Sequence, residues 1–269
     1  MLCFLCCFFL AMGEAAEIDV VIPVAAKDAK TLDYCIEGIR NNCNQVRRVF
    51  IVSAQPFTDQ AEWIDETAFP FSKEEVAACL QTLVPGKNPR TGWYYQQLLK
   101  LYAAFVIPEI SDNILVLDAD TIFLNPVSFL SSKGKALYNP GSEDHAPYFQ
   151  HCTKLLPHFR KAFPGLSGIS HHMLFQRMCL EELFQQVEQH TQMEFWRAFC
   201  LNVDPASLRA SGASEYELYF NFVFSTPHHV ELRFLRWANK PAIRSKEMAK
   251  QLFREAIREG LDYISCHQY

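Results

Sequence analysis

Residues 18–25, IDVVIPVA, form an almost continuous apolar run that closes on Pro23 and small residues. A strand with one face in water alternates polar and apolar side chains; a strand covered on both faces does not. The run is also far shorter than the roughly 20 residues that cross a bilayer. It therefore reads as an interior strand of a parallel sheet. Residues 31–42 follow with Leu32, Cys35, Ile36 and Ile39 at helical spacing, and VRRVFIVSA (46–54) supplies a second strand. Strand, helix and strand in this order make a βαβ unit, which points to an α/β fold.

The rest of the chain fits this start. A helix at about 73–83 opens with Ser72 and Glu75 in a capping-box pattern. GWYYQQLLKLYAAFVI (92–107) reads as a long, deeply packed helix stopped by Pro108. Gln96 and Gln97 interrupt its apolar surface, so at least one is expected to find a buried hydrogen-bond partner. Strands are expected at NILVL (113–117) and KALY (135–138), and VELRFLRW (230–237) is strand-like. Helical patterns fill the second half, at 147–161, 171–178, 180–190, 194–200, 214–225 and 245–259. No repeat or flexible linker divides the chain, so one continuous domain over 17–269 is the simplest organisation.

Composition narrows the function classes. Of 269 residues, 49% are hydrophobic, with 22 Phe and 10 Tyr, which is ample core material. The net charge of −5 argues against a general nucleic-acid surface. Residues 2–12, LCFLCCFFLAM, precede Gly-Glu-Ala-Ala and resemble the apolar region of a secretory signal peptide over 1–16, though no Lys or Arg comes first. An exported or secretory-pathway protein is thus expected, with a cytoplasmic one as the alternative, and no transmembrane span in the mature chain. Seven cysteines lie beyond this leader at scattered spacings, without a CxxC pair among them. That arrangement supports neither a zinc cage nor a disulfide framework.

LVLDADTIFLNP (115–126) carries the most chemistry. An apolar strand runs into Asp118 and Asp120 at the carboxyl edge of a sheet, where open α/β folds bind ligands. Strand alternation would place both carboxylates on one side. Two hard oxygen donors suit Mg²⁺ or Mn²⁺, held together with substrate phosphates. Transfer from a diphosphate leaving group is the chemistry that needs such an ion. The same DADTI also fits a haloacid-dehalogenase-like phosphohydrolase, with Asp118 as nucleophile. That class, however, carries its motif on the first strand and needs a later acidic pair that this chain lacks.

Taken together, IPVAAKDAKTL (22–32), GWYYQQLLKLY (92–102), LVLDADTIFLNPVSFL (115–130), SGISHHMLF (167–175), SGASEYELYFNFV (211–223) and SCHQY (265–269) resemble the nucleotide-diphosphosugar transferases of the GT-A fold. More closely, they resemble an uncharacterised family of GT-A-like glycosyltransferases, a domain of unknown function. The resemblance implies a Rossmann-like, mostly parallel central sheet flanked by helices, with a helix-rich C-terminal half. It implies metal-dependent transfer of a sugar from a nucleotide-diphosphate donor to a glycan, lipid or protein acceptor. A catalytically silent sugar- or nucleotide-binding module on the same fold is the alternative.

By that resemblance, Pro23, Val24, Ala25, Lys27 and Asp28 lie near the nucleotide, and Asp118 and Asp120 bind the metal, with Ala119 between them against the donor. His267 of SCHQY matches a third metal ligand, although a tail histidine can equally be exposed. Arg90 and Lys100 are candidates for carrying diphosphate charge. Trp93 either stacks on the donor or belongs to the core. His171 and His172 are expected near the sugar and acceptor pocket, or at a surface helix start. Glu215, with Asp120, is the expected catalytic residue, serving as acceptor base if configuration inverts. Glu217 is its neighbour in the pocket. Both acids also fit a plain helix N-terminus, with Ser214 and Glu217 as a capping box.

Overall fold

The computed structural model describes residues 16–86, 88–226 and 228–267. The expected leader lies outside them apart from Ala16. The central sheet starts with β1 (Ile18–Pro23), α1 (Ala29–Asn42) and β2 (Val46–Ser53), the βαβ unit that the apolar pattern predicts. β1 is flanked by β2 and by β4 (Asn113–Leu117), both parallel to it. A short β3 (Glu62–Asp65), which carries little apolar signal, adds to β2. The order is β3-β2-β1-β4-β7, with β7 (His172–Gln176) at the far edge. Val20, Val21 and Ile22 are fully buried, each stabilising the fold by about 1.5–3 kcal/mol. The chain leaves β1 towards β2 on one side and returns to β4 on the other, so a crevice opens at their carboxyl ends.

The far edge corrects an expectation. Residues 171–178 were expected to be helical, but His172–Gln176 form β7, antiparallel to β4 with His172 opposite Leu117. HMLF is a short apolar run whose period does not separate strand from helix, and the open edge of β4 decides it. The helix begins at Arg177 instead, as α5 (Arg177–Thr191).

Two smaller sheets complete the strands. β5 (Thr121–Phe123), β10 (Tyr263–His267) and β9 (Trp237–Pro241) form one, in the order β5-β10-β9. β6 (Ala136–Tyr138) and β8 (Val230–Leu232) form the other. The expected strand at 230–237 is thus divided, its middle crossing between the two sheets.

Among the helices, α2 (Lys73–Gln81) has the predicted capping box, with Ser72 and Glu75 exchanging hydrogen bonds of 3.1 and 2.7 Å. α3 (Thr91–Val106) is buried along most of its length and packs on β1. α4 (Ala146–Leu155) stops well before residue 161, because Leu156 precedes Pro157 and leaves helical geometry. α5 and α6 (Phe195–Leu201) meet through Phe184 and Phe195, stacked 3.8 Å apart. α7 (Glu215–Ser225) packs on α3, α4 and α5. Ala249, Leu252 and Ala256 of α8 (Lys246–Arg258) close a smaller apolar cluster with Ile122 and Ile264. α1 lies against β5, where Gly38 permits the approach: a Cβ there would stand 2.9 Å from the Phe123 carbonyl oxygen.

Candidate active site

The crevice at the ends of β1 and β4 has two lobes. The outer lobe, about 750 Å³, is floored by Pro23, Val24 and Ala25 and walled by Phe57, Tyr95 and Trp93. The inner lobe, about 390 Å³, is lined by Gln97, Lys100, Asp118, Ala119, Asp120 and Glu215 among others. Lys27, Asp28, Arg90, Trp93 and Gln96 line both, so the lobes are continuous.

Asp118 and Asp120 share the inner lobe, but not through strand alternation. β4 ends at Leu117 and the chain turns, Thr121 N donating to the Asp118 carbonyl at 3.0 Å. The turn is pinned from both sides. Asp118 N donates to the His171 carbonyl at 3.0 Å, and Cys266 N to the Asp120 carbonyl at 2.9 Å. Ser265 Oγ also reaches Asp120 Oδ1 at 3.2 Å. His171, just before β7, and Ser265 and Cys266 of β10, distant in sequence, thus hold the two acids where they are.

Lys100 projects from α3 beneath this turn. Its Nζ lies 2.6 Å from Asp118 Oδ1 and 2.7 Å from Glu215 Oε1, with the Tyr216 ring 4.4 Å away. Only 3% of its side chain is exposed. Burial alone would lower the ammonium's pKa, but Asp118 and then Glu215 outweigh it, holding Lys100 well above its ordinary range. The two carboxylates thus favour the charged form of Lys100. Burial raises the Glu215 carboxyl, while the Lys100 charge opposes that rise. Glu215 stands at the start of α7, its N–H donating to Gln97 Oε1 at 3.0 Å. That bond gives Gln97 its expected buried partner. Gln97 Nε2 is buried too, and among the described residues no partner is found for it.

Arg90 and Trp93 form the rim. The Arg90 guanidinium lies 4.5 Å over the Trp93 ring and donates to Ser211 Oγ at 3.1 Å, while Trp93 Nε1 donates to the Ala213 carbonyl at 3.3 Å. These bonds fasten the segment before α7 over the start of α3. Lys27 is exposed, 3.9 Å from Asp28.

Three expected pocket residues lie outside both lobes. The His171 ring packs 4.8 Å from Trp237, and its carbonyl braces the aspartate turn. His172 is enclosed by Phe123, Phe129 and Tyr263, at centroid distances of 5.1, 5.5 and 4.8 Å. Burial drives its pKa well below 6.5, so the ring is neutral. Glu217 turns inward, accepting from Gly168 N at 2.7 Å and Asn221 Nδ2 at 2.9 Å. Only half of the expected capping box therefore forms: Ser214 Oγ accepts from Glu217 N, but the Glu217 carboxylate does not return the bond. The backbone of His267 pairs with Pro241 at the end of β10; its side chain lies outside the described residues.

Further lining residues were not among the expected site residues: Tyr148, Ile169, Ser170, Ser211, Ser214 and Tyr216. Small residues beside glycines, SGIS and SGAS, were the signal available. A Cβ on Gly168 would come 2.5 Å from Phe220 Cβ and from the Tyr216 carbonyl. The missing side chain lets this loop lie on α7 and bring Ile169 and Ser170 to the cavity wall.

Asp118 and Asp120 suit a divalent cation of limited protein ligation. Among the described residues no group of three or more His, Cys, Asp and Glu could hold a metal ion. Two carboxylates on an open cavity are residues that could hold such an ion together with a ligand's phosphates.

No curated protein matches the chain. The fold is similar to that of mouse xyloside xylosyltransferase 1 in its apo form, with a TM-score of 0.44 and 10% identity, over 93% of this chain and 97% of that one. A family profile covers residues 17–252, from β1 into α8. By that match the chain belongs to a family of unknown function, DUF6492.

Proposed function

We propose that this protein is a metal-dependent glycosyltransferase that takes its sugar from a nucleotide-diphosphate donor. The supporting observation is the pairing of Asp118 and Asp120 on one cavity wall, directly continuous with a second cavity at the end of β1. The outer lobe, with Trp93, Tyr95 and Phe57, suits a flat base and its ribose. Lys27 and Arg90 stand at the junction, where a diphosphate would meet them. Asp118 and Asp120 would hold Mn²⁺ or Mg²⁺, which supplies charge stabilisation as a diphosphate leaves. The inner lobe then receives the sugar, with the unpaired Gln97 Nε2 as a donor for one of its oxygens.

Lys100 sets the charge state of this chamber. It neutralises Asp118 and Glu215 in part, so the anionic donor meets a wall less negative than three carboxylates would make. Its charge also opposes the upward pull of burial on the Glu215 carboxyl, favouring the ionised form that a general base needs. Glu215 serves as acceptor base if the reaction inverts configuration; if it retains, Glu215 positions Lys100. The acceptor is a glycan, lipid or protein. A secretory-pathway location, resting on the leader-like sequence, would place the enzyme where such acceptors mature.

Calorimetry with a panel of nucleotide-sugars, with and without Mn²⁺, tests this. Binding is expected only with metal, and Asp120→Ala is expected to abolish it while the melting curve stays within a few degrees of wild type. A panel with no metal-dependent ligand would remove the proposal. Binding without sugar transfer or donor hydrolysis would leave a silent binding module. Release of phosphate from simple phosphoesters would favour the phosphohydrolase.

A further inference from the structure

The cations of this acidic protein are segregated. Residues 236–258 carry seven Lys and Arg against two Glu, a net of +5, in a chain whose total is −5; the remainder therefore stands at −10. Four of the seven, Lys246, Lys250, Arg254 and Arg258, recur every four residues along α8. That spacing draws a single stripe along one side of a helix, and all four are exposed. Arg244 extends it beyond the helix start.

The stripe is not neutralised locally. Among the described residues none of these five cations is in an ion pair, whereas Lys240 is paired with Glu259 at 3.0 Å. Arg254 and Arg258 bond back through Nε to the carbonyls of Lys250 and Arg254, at 3.1 and 3.3 Å, which lays the side chains along the helix. The acids of α8 itself are Glu247, in the first turn near Lys246 and Lys250, and Glu255, which accepts from Gln251 at 2.9 Å.

One exposed apolar side chain lies within the stripe, and a second stands in the segment that contacts the end of α8. Ile257, 48% exposed, lies within the stripe, and Phe234 is 70% exposed. Phe234 belongs to the segment before β9, whose Arg236 Nη2 donates to the Glu259 carbonyl at the end of α8 at 2.7 Å. Cations flanking protruding apolar side chains match the interface of an anionic bilayer, which takes charge at the headgroups and apolar groups just beneath. A soluble polyanion would use the cations and leave Ile257 in water.

We propose that the α8 stripe, with Ile257 and Phe234, docks this protein on an anionic phospholipid surface. The contact is peripheral: among the described residues no helix is long and apolar enough to cross a membrane. β9 pairs with β10, whose Ser265 and Cys266 hold Asp120. The docked face is thus tied through one sheet to the candidate active site. The inference does not depend on the transferase reading.

Co-sedimentation of the full chain with phosphatidylcholine vesicles, with and without phosphatidylserine, tests it. Binding is expected only to the phosphatidylserine vesicles and should weaken as salt rises. Each cation removed should lower partitioning about fivefold, so Lys250→Gln with Arg254→Gln should lower it about thirtyfold. Phe234→Ser should weaken binding at constant charge. Lys133→Gln with Lys154→Gln, exposed cations elsewhere, should leave it unchanged. Circular dichroism establishes that each variant is folded. Equal affinity for neutral vesicles, equal loss in the control pair, or binding to an oligonucleotide but not to vesicles would overturn the proposal.

Discussion

At the scale of single residues, the decisive group is Lys100. It is buried between two carboxylates, so its removal strands charge rather than a contact. Lys100→Met is expected to cost about 3–5 kcal/mol, read from urea unfolding, and adding Glu215→Gln should recover part of that loss. A cost within 1 kcal/mol of zero would show that the pair is not held as described. His151 makes a second prediction. It is buried on α4, its Nε2 lying 2.8 Å from the Phe199 carbonyl, and burial lowers its pKa from 6.5 to about 4. Between those values the unfolded chain is protonated while the folded chain is not. Stability contributed by this group is therefore intact above pH 6.5, falls as pH drops, and has lost about 3 kcal/mol near pH 4. His151→Gln, which keeps a donor for Phe199, should flatten the unfolding-against-pH curve in that window. His172 acts in the same direction. An unchanged slope would mean that His151 takes up its proton in the folded state as readily as in the unfolded one.

At the scale of elements, the site depends on how closely α7 is approached. Gly168 lies where a Cβ would collide with Phe220 and the Tyr216 carbonyl. Gly168→Ala is expected to destabilise the fold by about 1–3 kcal/mol through overpacking. It should also weaken metal-dependent nucleotide-sugar binding, since it displaces the wall carrying Ser170 and the start of α7. Normal stability and normal binding together would show that this packing is slack. Elements also show where sequence reading reaches its limit. The βαβ unit, α3 and the α2 capping box were legible because their patterns are local. β7 was not, because HMLF suits a helix as well as a strand until β4 offers it an edge. The expected capping box at Ser214 and Glu217 formed by half, because Gly168 N and Asn221 supply the Glu217 carboxylate with better-placed partners.

For the whole molecule, the aspartate turn is assembled from distant parts of the chain. The turn follows β4, its cation comes from α3, and its braces come from His171, just before β7, and from β10. A chain ending at Asp262 would lose buried Tyr263, Ile264 and Cys266 together with the Cys266 N and Ser265 Oγ bonds to Asp120. It is expected to lose cooperative unfolding, or to melt far below the full chain; a sharp transition near the full-length temperature would show that β10 is dispensable. Sequence alone determined the α/β class, the interior strands and Asp118 and Asp120 as candidates, because apolar period and residue chemistry are written locally; Lys100 and Glu215 came as candidates with the family resemblance. Only the tertiary structure decided that Lys100 lies between two of those acids and that His172 and Glu217 face the core. The physical reason is that burial and ion pairing depend on through-space neighbours, and residues 100, 118 and 215 become neighbours only when the strands and helices pack.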